Sequence, residues 1–257
     1  MISDFLQNPG VLLPIHSRVE SERFGIDVAR LNIPIDSPAS DIQIAQICNE
    51  SSADILILRY PSTRNRLAQS LADLSKAQAF QADTLVYFSK DLDPITESSK
   101  TNYSWKFSIA SPNDNSIIKA LSQIIFQDYP NHYRSNHRLG SQSIVDGYVE
   151  WASFGLADSA KLTAIIETPD SKKIGFALVS FDENGAEIEL NGVHPDFHNQ
   201  GVYSVLLQML MGYLANQKIE KLSISTQIQN TRAIRAWVKA GFNLEFSLNT
   251  FHIMPRY

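Results

Sequence analysis

Residues 187–203 read EIELNGVHPDFHNQGVY, and a strand ends and a helix begins inside this stretch. The run 186–193 has the apolar alternation of a strand, and Pro195 follows its end. Gly201 then opens an amphipathic helix that carries Val202, Val205, Leu206, Met209, Leu210, Tyr213 and Leu214 on one face. A glycine at such a turn lets backbone approach a ligand closely, and the first N–H groups of the helix have no intrahelical acceptor. That geometry suits a pyrophosphate. The stretch is neither G-x-G-x-x-G, which needs three glycines, nor a phosphate loop ending in Gly-Lys-Ser/Thr, so dinucleotide and nucleoside-triphosphate sites lose ground.

Working outward, a strand over 221–226, a helix over 231–240 stopped by Gly241, and a strand over 244–254 follow. Upstream stand two β-rich runs, 162–167 and 174–181, joined by the turn residues Thr168, Pro169, Asp170 and Ser171. Before them come a strand at 105–110, a helix over 114–128 with Asp114 as N-cap, and a helix over 143–156. The first hundred residues alternate strands (27–35, 53–60, 84–89) with helices (41–51, 65–77), which makes a small α/β unit. The polar stretch KDLDPITESSKTNY at 90–103 reads as an exposed connection. The expectation is an α/β (α+β) chain with domains over 1–103 and 104–257.

Composition sets limits. With 22 basic and 27 acidic residues the chain carries −5, which argues against a phosphate-backbone footprint, so nucleic acid is not an expected partner. A small anion held by backbone amides remains allowed. The lone Cys48 lies in an amphipathic run and reads as core rather than nucleophile. Nowhere do eighteen apolar residues run together, and the start MISDFLQNPGVLLP has no basic leader, so membrane insertion is not expected and the chain reads as cytoplasmic. His132 and His137 have no Cys or carboxylate cluster beside them, so no metal is expected.

The element order, VHPDFHNQGVY before the long helix, and NTRAIRAWVKAGF after the next strand together resemble the GCN5-related N-acetyltransferase (GNAT) family over about 104–257. The resemblance implies a GNAT fold with a mixed, splayed central sheet, and acetyl-CoA as co-substrate. It places the pyrophosphate on the turn His198, Asn199, Gln200, Gly201, Val202 and Tyr203, and the pantetheine arm beside Asn230, Ala233 and Trp237. It also implies that backbone N–H groups at Asn191, Gly192 and Val193 polarise the thioester carbonyl. Three positions depart from the family pattern. His198 stands for the usual Gln or Arg, Tyr203 for a small residue, and Trp237 for a tyrosine that many members use to protonate the thiolate, which an indole cannot do.

An ammonium must lose a proton before it attacks a thioester. Strand alternation over 186–193 puts Glu187, Glu189 and Asn191 on one face and Ile188 and Leu190 on the other. Similar enzymes often place a carboxylate on this strand, which implies Glu189 first and Glu187 second as catalytic base, acting through water. SERFGIDVARLNI (21–33) and the chain's ending are similar to a group of nucleotide-sugar acetyltransferases, those of the TDP-fucosamine (dTDP-4-amino-4,6-dideoxygalactose) type. That group has an aromatic and basic loop matching 129–142. The implied acceptor is a nucleotide-linked 4-amino-4,6-dideoxy sugar for a surface polysaccharide. Arg134 or Arg138 would meet its diphosphate, and Tyr133 and Trp151 would stack on base or sugar. Acetylation of a protein N-terminus or small amine, and a non-catalytic acyl-CoA-binding module, stay open, as does a homodimer.

Overall fold

The structure, a computed structural model, describes residues 5, 12–93, 104–183 and 185–256. In chain order its elements are β1 (Ile15–His16), α1 (Arg18–Phe24), β2 (Val28–Asn32), α2 (Asp41–Asn49), β3 (Ile55–Pro61), α3 (Leu67–Ala72), β4 (Ala77–Asp91) and β5 (Lys106–Ile109). There follow α4 (Asn115–Phe126), α5 (Ser141–Ala157), β6 (Lys161–Glu167), β7 (Lys173–Asp182), β8 (Gly185–Val193), α6 (Val202–Asn216), β9 (Lys221–Gln227), α7 (Thr231–Lys239) and β10 (Asn243–Pro255).

The ten strands form one mixed sheet in the order β1-β2-β3-β10-β4-β9-β8-β7-β6-β5. Within it β2 and β3 pair in parallel, and the β3 run ILILRYP is buried along nearly all its length, as a strand covered on both faces must be. The crossing helix α2 starts on a capping box between Ser40 and Gln43. The C-terminal strand β10 inserts between β3 and β4, so the described residues before 94 and after 103 share one sheet; Lys90 and Asp91, expected in an exposed connection, instead end β4, paired with Leu222 and Lys221. The expected boundary at 103/104 lies at the edge of residues outside those described.

One face of the sheet carries α6 and α7 over a core that includes Val86, Phe88, Ile188, Val205, Leu206, Leu210 and Trp237. Farther along, α2 and α3 cover Leu56, Leu58, Tyr60, Phe251 and Ile253, with Cys48 fully buried among them. Burial alone pushes the Cys48 thiol up to about 12, so it stays a core thiol. On the other face α4 and α5 pack over Ile165, Phe176, Leu178 and Leu190.

Three local expectations change. The helix over 65–77 stops at Ala72, and β4 starts at Ala77 rather than at 84. Ala, Gln and Asp are poor strand formers, but the first half of β4 is held by pairing from Ala77↔Pro255 to Asp83↔Thr250, and partnership overrides propensity. The helix α1 was not expected; its end is marked by Gly25 at φ 68. Asp114 caps differently from expectation, its carboxylate accepting from Ser111 N at 2.7 Å and pairing with Lys173 rather than bonding into α4.

Candidate active site

Strand β8 is broken in phase. Its partners on β7 run Ala177↔Asn191 and Leu178↔Leu190, then Val179↔Ile188, which leaves Glu189 as the extra residue of a β-bulge. The single polar face expected for Glu187, Glu189 and Asn191 is therefore corrected. Ile188 packs into the core under α6, whereas Leu190 packs under α4 and α5 on the opposite side. Glu187 and Glu189 stay on the α4/α5 side, and Asn191 turns toward α6, where its Oδ1 accepts from Tyr203 Oη at 2.8 Å. An inserted residue shifts a period-two pattern by one, and an alternation read along a single strand does not register it.

The parallel pairing of β8 with β9 covers only Ala186↔Leu222, Glu187↔Ser223 and Ile188↔Ile224. Beyond that the strands part, and a cavity of about 480 Å³ opens between them. It runs along the α4/α5 face as far as Arg30 and Asn32 on β2 and Arg59 on β3. Of the residues singled out in the sequence, Glu187, Glu189, Asn191, Asn230, Ala233, Trp237, Tyr133 and Trp151 line it.

The Glu189 carboxylate is held on both oxygens by Lys161 Nζ at 2.9 and 2.7 Å, and Trp151 Nε1 donates to it at 3.1 Å. Trp151 in turn stacks at a shallow angle on Tyr148. Glu187 is buried at the fork where the two strands separate. Trp237 is also buried, and its Nε1 donates to Tyr203 Oη at 2.7 Å. Burial raises the Tyr203 phenol far above its ordinary value, so the chain Trp237, Tyr203, Asn191 stands as a fixed neutral relay of donors. Asn230 caps α7, accepting from Ala233 N at 3.4 Å while its amide donates to Thr226 Oγ1 at 3.0 Å.

The turn into α6 lies at the open end of the fork. His198 N bonds back to Pro195 O, and Val205 N to Gly201 O; the backbone N–H groups of residues 199–204 between them have no backbone acceptor. Asn199 at φ 63 and Gly201 at φ 77 are left-handed, which turns successive amides outward, and a Cβ at Gly201 would meet no atom within 4 Å. His198 does not point at this cradle. Its Nε2 donates to Val193 O at 2.9 Å, which leaves Nδ1 to accept from Arg232 Nη1 at 3.4 Å. Arg232 Nη2 also donates to Asn199 Oδ1 at 3.1 Å, so a cation from α7 lies across the turn. Gly192 and Val193 lie outside the cavity lining, and Gly192 answers packing instead, since a Cβ there would come within 2.4 Å of Ile125 Cγ2. Gln200 donates to Asp196 O at 3.0 Å, and the Val202 side chain is core.

The 129–142 segment is built in rather than laid on the surface. Its short 3-10 turn His132–Ser135 is capped by Asn131, and His132 and Asn136 are buried. Asn136 Nδ2 donates to His252 Nδ1 at 3.1 Å, so His252 Nε2 carries the hydrogen it shares with His132 Nδ1 at 2.9 Å. Burial, then the positive charge of Arg59, keeps both imidazoles neutral, His252 down at about 4. Tyr133 Oη bonds Glu20 Oε1 at 2.5 Å and accepts from Arg30 at 2.9 Å. Burial pushes the Glu20 carboxyl up, and Arg30 together with Ser17 and Tyr133 outweighs it and holds the group at about 2.

Arg134 and Arg138 were expected to meet an anionic substrate, and the fold places them elsewhere. Arg134 donates to Tyr129 O at 3.0 Å and to Gln127 O, tying off carbonyls at the end of α4. Arg138 donates to Asp54 O at 3.2 Å. Neither lines the cavity. The residues missed in the sequence are Arg23, Arg30, Arg59, Tyr129, Lys161 and Arg232. Arg30, Arg59 and Arg232 sit in runs that read as ordinary strand or helix, Arg23 and Lys161 lie just outside such runs, and Tyr129 opens the aromatic and basic loop; Arg59, a lone charge inside ILILRYP, carried a local signal.

Among the described residues no group of three metal-ligand side chains occurs, and no helix is long and apolar enough to cross a membrane. Residues 122–242 match the family model described as Acetyltransferase (GNAT) family. The chain is 25% identical over 187 residues to "Spore coat polysaccharide biosynthesis protein SpsD" of Bacillus subtilis (strain 168), an alignment covering 71% of this chain and 64% of that protein. It therefore spans less than two thirds of that relative's length. Among solved structures it resembles a functionally unknown conserved protein from Staphylococcus epidermidis ATCC 12228 (TM-score 0.59, 12% identity, 95% of this chain and 90% of that one). It also resembles a GCN5-related N-acetyltransferase from Kribbella flavida (TM-score 0.56, 10% identity, 88% and 80%). At such identities the likeness is one of fold.

Proposed function

We propose that this protein, whose residues 122–242 match the GNAT acetyltransferase family model, is an acetyl-CoA-dependent N-acetyltransferase whose acceptor is the amine of a nucleotide-linked 4-amino-4,6-dideoxy sugar. The observation that carries the activity is the fork between β8 and β9, with carboxylates on one side of it and an open cradle of unpaired amides at its end. That cradle fits a pyrophosphate, and Arg232 adds a cation beside it. The sugar acceptor draws on the polysaccharide-biosynthesis relative and on the length of the cavity.

Bound acetyl-CoA supplies a thioester acyl group to the amine in a ternary complex. Glu187 takes the amine proton, directly or through one water. We place it ahead of Glu189 because both Glu189 oxygens are already taken by Lys161, and one of them by Trp151 as well. Glu189 instead fixes Lys161 and Trp151 as the wall against which the sugar rests. Backbone N–H groups on the β8 edge that β9 abandons polarise the acyl carbonyl. The Trp237 indole is committed to Tyr203, so water protonates the thiolate or it departs unassisted, as its modest basicity allows. Arg23, Arg30, Asn32 and Arg59, all before residue 94, act as the acceptor-side wall.

The test is release of free thiol from acetyl-CoA with a panel of acceptors. Turnover with nucleotide-linked amino sugars and not with peptides, aminoglycosides or polyamines is the expected result. Turnover with peptide alone overturns the sugar acceptor, and coenzyme A binding without any thiol release overturns the enzyme.

A further inference from the structure

The far end of the cavity holds charge that acyl transfer does not use. The chain as a whole carries −5, yet Arg23, Arg30, Arg59 and Lys161 face this space against Glu187 and Glu189. Three of the four cations already hold a carboxylate, Arg23 through the more exposed Glu150. Arg30 forks onto Glu20 at 2.5 and 2.7 Å, and Lys161 holds Glu189. Arg59 is not committed. Among the described residues its one hydrogen bond runs from Nε to Thr250 Oγ1 at 3.4 Å, and no carboxylate stands within ion-pair distance. Its charge is felt by the buried Asp83 carboxylate as well as by His132, His252, Tyr133 and Tyr148.

Arg23 belongs to the same wall. Its Nη2 reaches the half-exposed Glu150 at 2.8 Å, and its Nε is buried without an acceptor. It lies flat on α5 at Gly147, where a Cβ would stand 2.6 Å from Arg23 Cζ, so the glycine keeps the place open for the guanidinium. An arginine fork matches the oxygens of a phosphate, and a low-dielectric cavity strengthens that contact. Arg59 on β3 lies four strand steps from Glu187 on β8, about 19 Å across the sheet, and is level with Asp83 rather than with Ser89, about 20 Å farther along the strands. An acceptor whose amine lies at the fork reaches Arg59 only if it is long, and Phe24, Tyr87 and Tyr148 line the way with ring faces.

We infer that Arg59 and Arg23, both supplied by the segment before the 90–103 connection, form an anion subsite for the diphosphate of a nucleoside-diphosphate acceptor. This rests on the nucleotide-sugar reading above. It makes the first segment part of acceptor recognition and sets the phosphates at the end of the cavity opposite the coenzyme.

The test is titration of thymidine diphosphate into the whole protein saturated with coenzyme A, so that the cradle at Gly201 is filled. Binding to the parent protein, weakened tenfold or more in Arg59→Gln and in Arg23→Gln while coenzyme A affinity changes less than twofold, is the expected result. Arg59→Lys regains part of the loss. If Arg59→Gln does not fold, Arg23→Gln and Arg59→Lys carry the same comparison. Equal affinity in parent and variants overturns the subsite and leaves the nucleotide-sugar acceptor standing. No binding of thymidine diphosphate to the parent, together with acetylation of phosphate-free amines, overturns both.

Discussion

Trp237 donates its indole hydrogen to the hydroxyl of Tyr203 at 2.7 Å, and that hydroxyl passes its own to Asn191 at 2.8 Å. Two departures from the family pattern thus answer each other. Tyr203 at a usually small position supplies the acceptor that a buried indole at the tyrosine position needs, and β8 is tied to α6 and α7 across the fork. Tyr203→Phe leaves Trp237 Nε1 and Asn191 Oδ1 short of a partner. It should lower stability by about 1–3 kcal/mol, read by denaturant unfolding. If stability is unchanged, the relay is not structural.

The two carboxylates on β8 should separate kinetically. Glu187→Gln is expected to cut kcat by roughly a hundredfold or more with acceptor KM little changed. Glu189→Gln frees Lys161 and Trp151 and should mainly raise the acceptor KM. Steady-state rates for both variants decide the order, and the reverse pattern would restore Glu189 as the base.

Two glycines should fail for different reasons. Gly192→Ala drives a Cβ into Ile125 and is expected to cost about 1–3 kcal/mol with coenzyme A affinity kept. Gly201→Ala meets open space but holds φ 77, a strain of about 1–2 kcal/mol, and places a methyl on the amide cradle, so the acetyl-CoA KM should rise. Thermal melts with and without coenzyme A distinguish the two.

The buried imidazoles predict acid sensitivity. His252 is lowered from 6.5 to about 4, first by burial and then by Arg59, with Arg30 adding to the effect and Glu20 opposing it, and His132 is lowered too. Between these values the unfolded chain binds more protons than the folded one, so stability falls as pH drops from about 6.5 toward 4. The His252 share is of order 3 kcal/mol over that window. Glu20 acts lower, its contribution being lost as pH falls from 4.5 toward 2. His252→Asn should flatten the slope of melting temperature against pH between 7 and 5; an unchanged slope would assign it to other groups.

Much of the architecture was legible in the chain because it rests on local rules. Helix periodicity, turn residues and apolar strands gave β6 to β10 and α4 to α7 within a few residues. The turn at Gly201 was readable because left-handed backbone and free helix amides follow from one glycine between a strand and an amphipathic helix. The pairing of Trp237 with Tyr203 was not, although both were noticed, because 34 residues separate them and only the packing of α7 on α6 brings them together.

The acceptor side shows the other limit. Arg134 and Arg138 looked right by composition, but a guanidinium goes to the nearest unsatisfied carbonyl, and the end of α4 and Asp54 provided them. Arg23 and Arg59 were not singled out, and they face the cavity because β10 inserts between β3 and β4 and carries the first segment's strands alongside the fork. One extra residue at Glu189 reversed the faces of Leu190 and Asn191. Local propensity and periodicity fixed most of the elements and the left-handed turn at Gly201, since both depend on neighbours a few residues apart. Strand order, bulge phase and the convergence of distant side chains fixed the cavity, since these depend on pairings between residues up to two hundred apart, to which no local pattern responds.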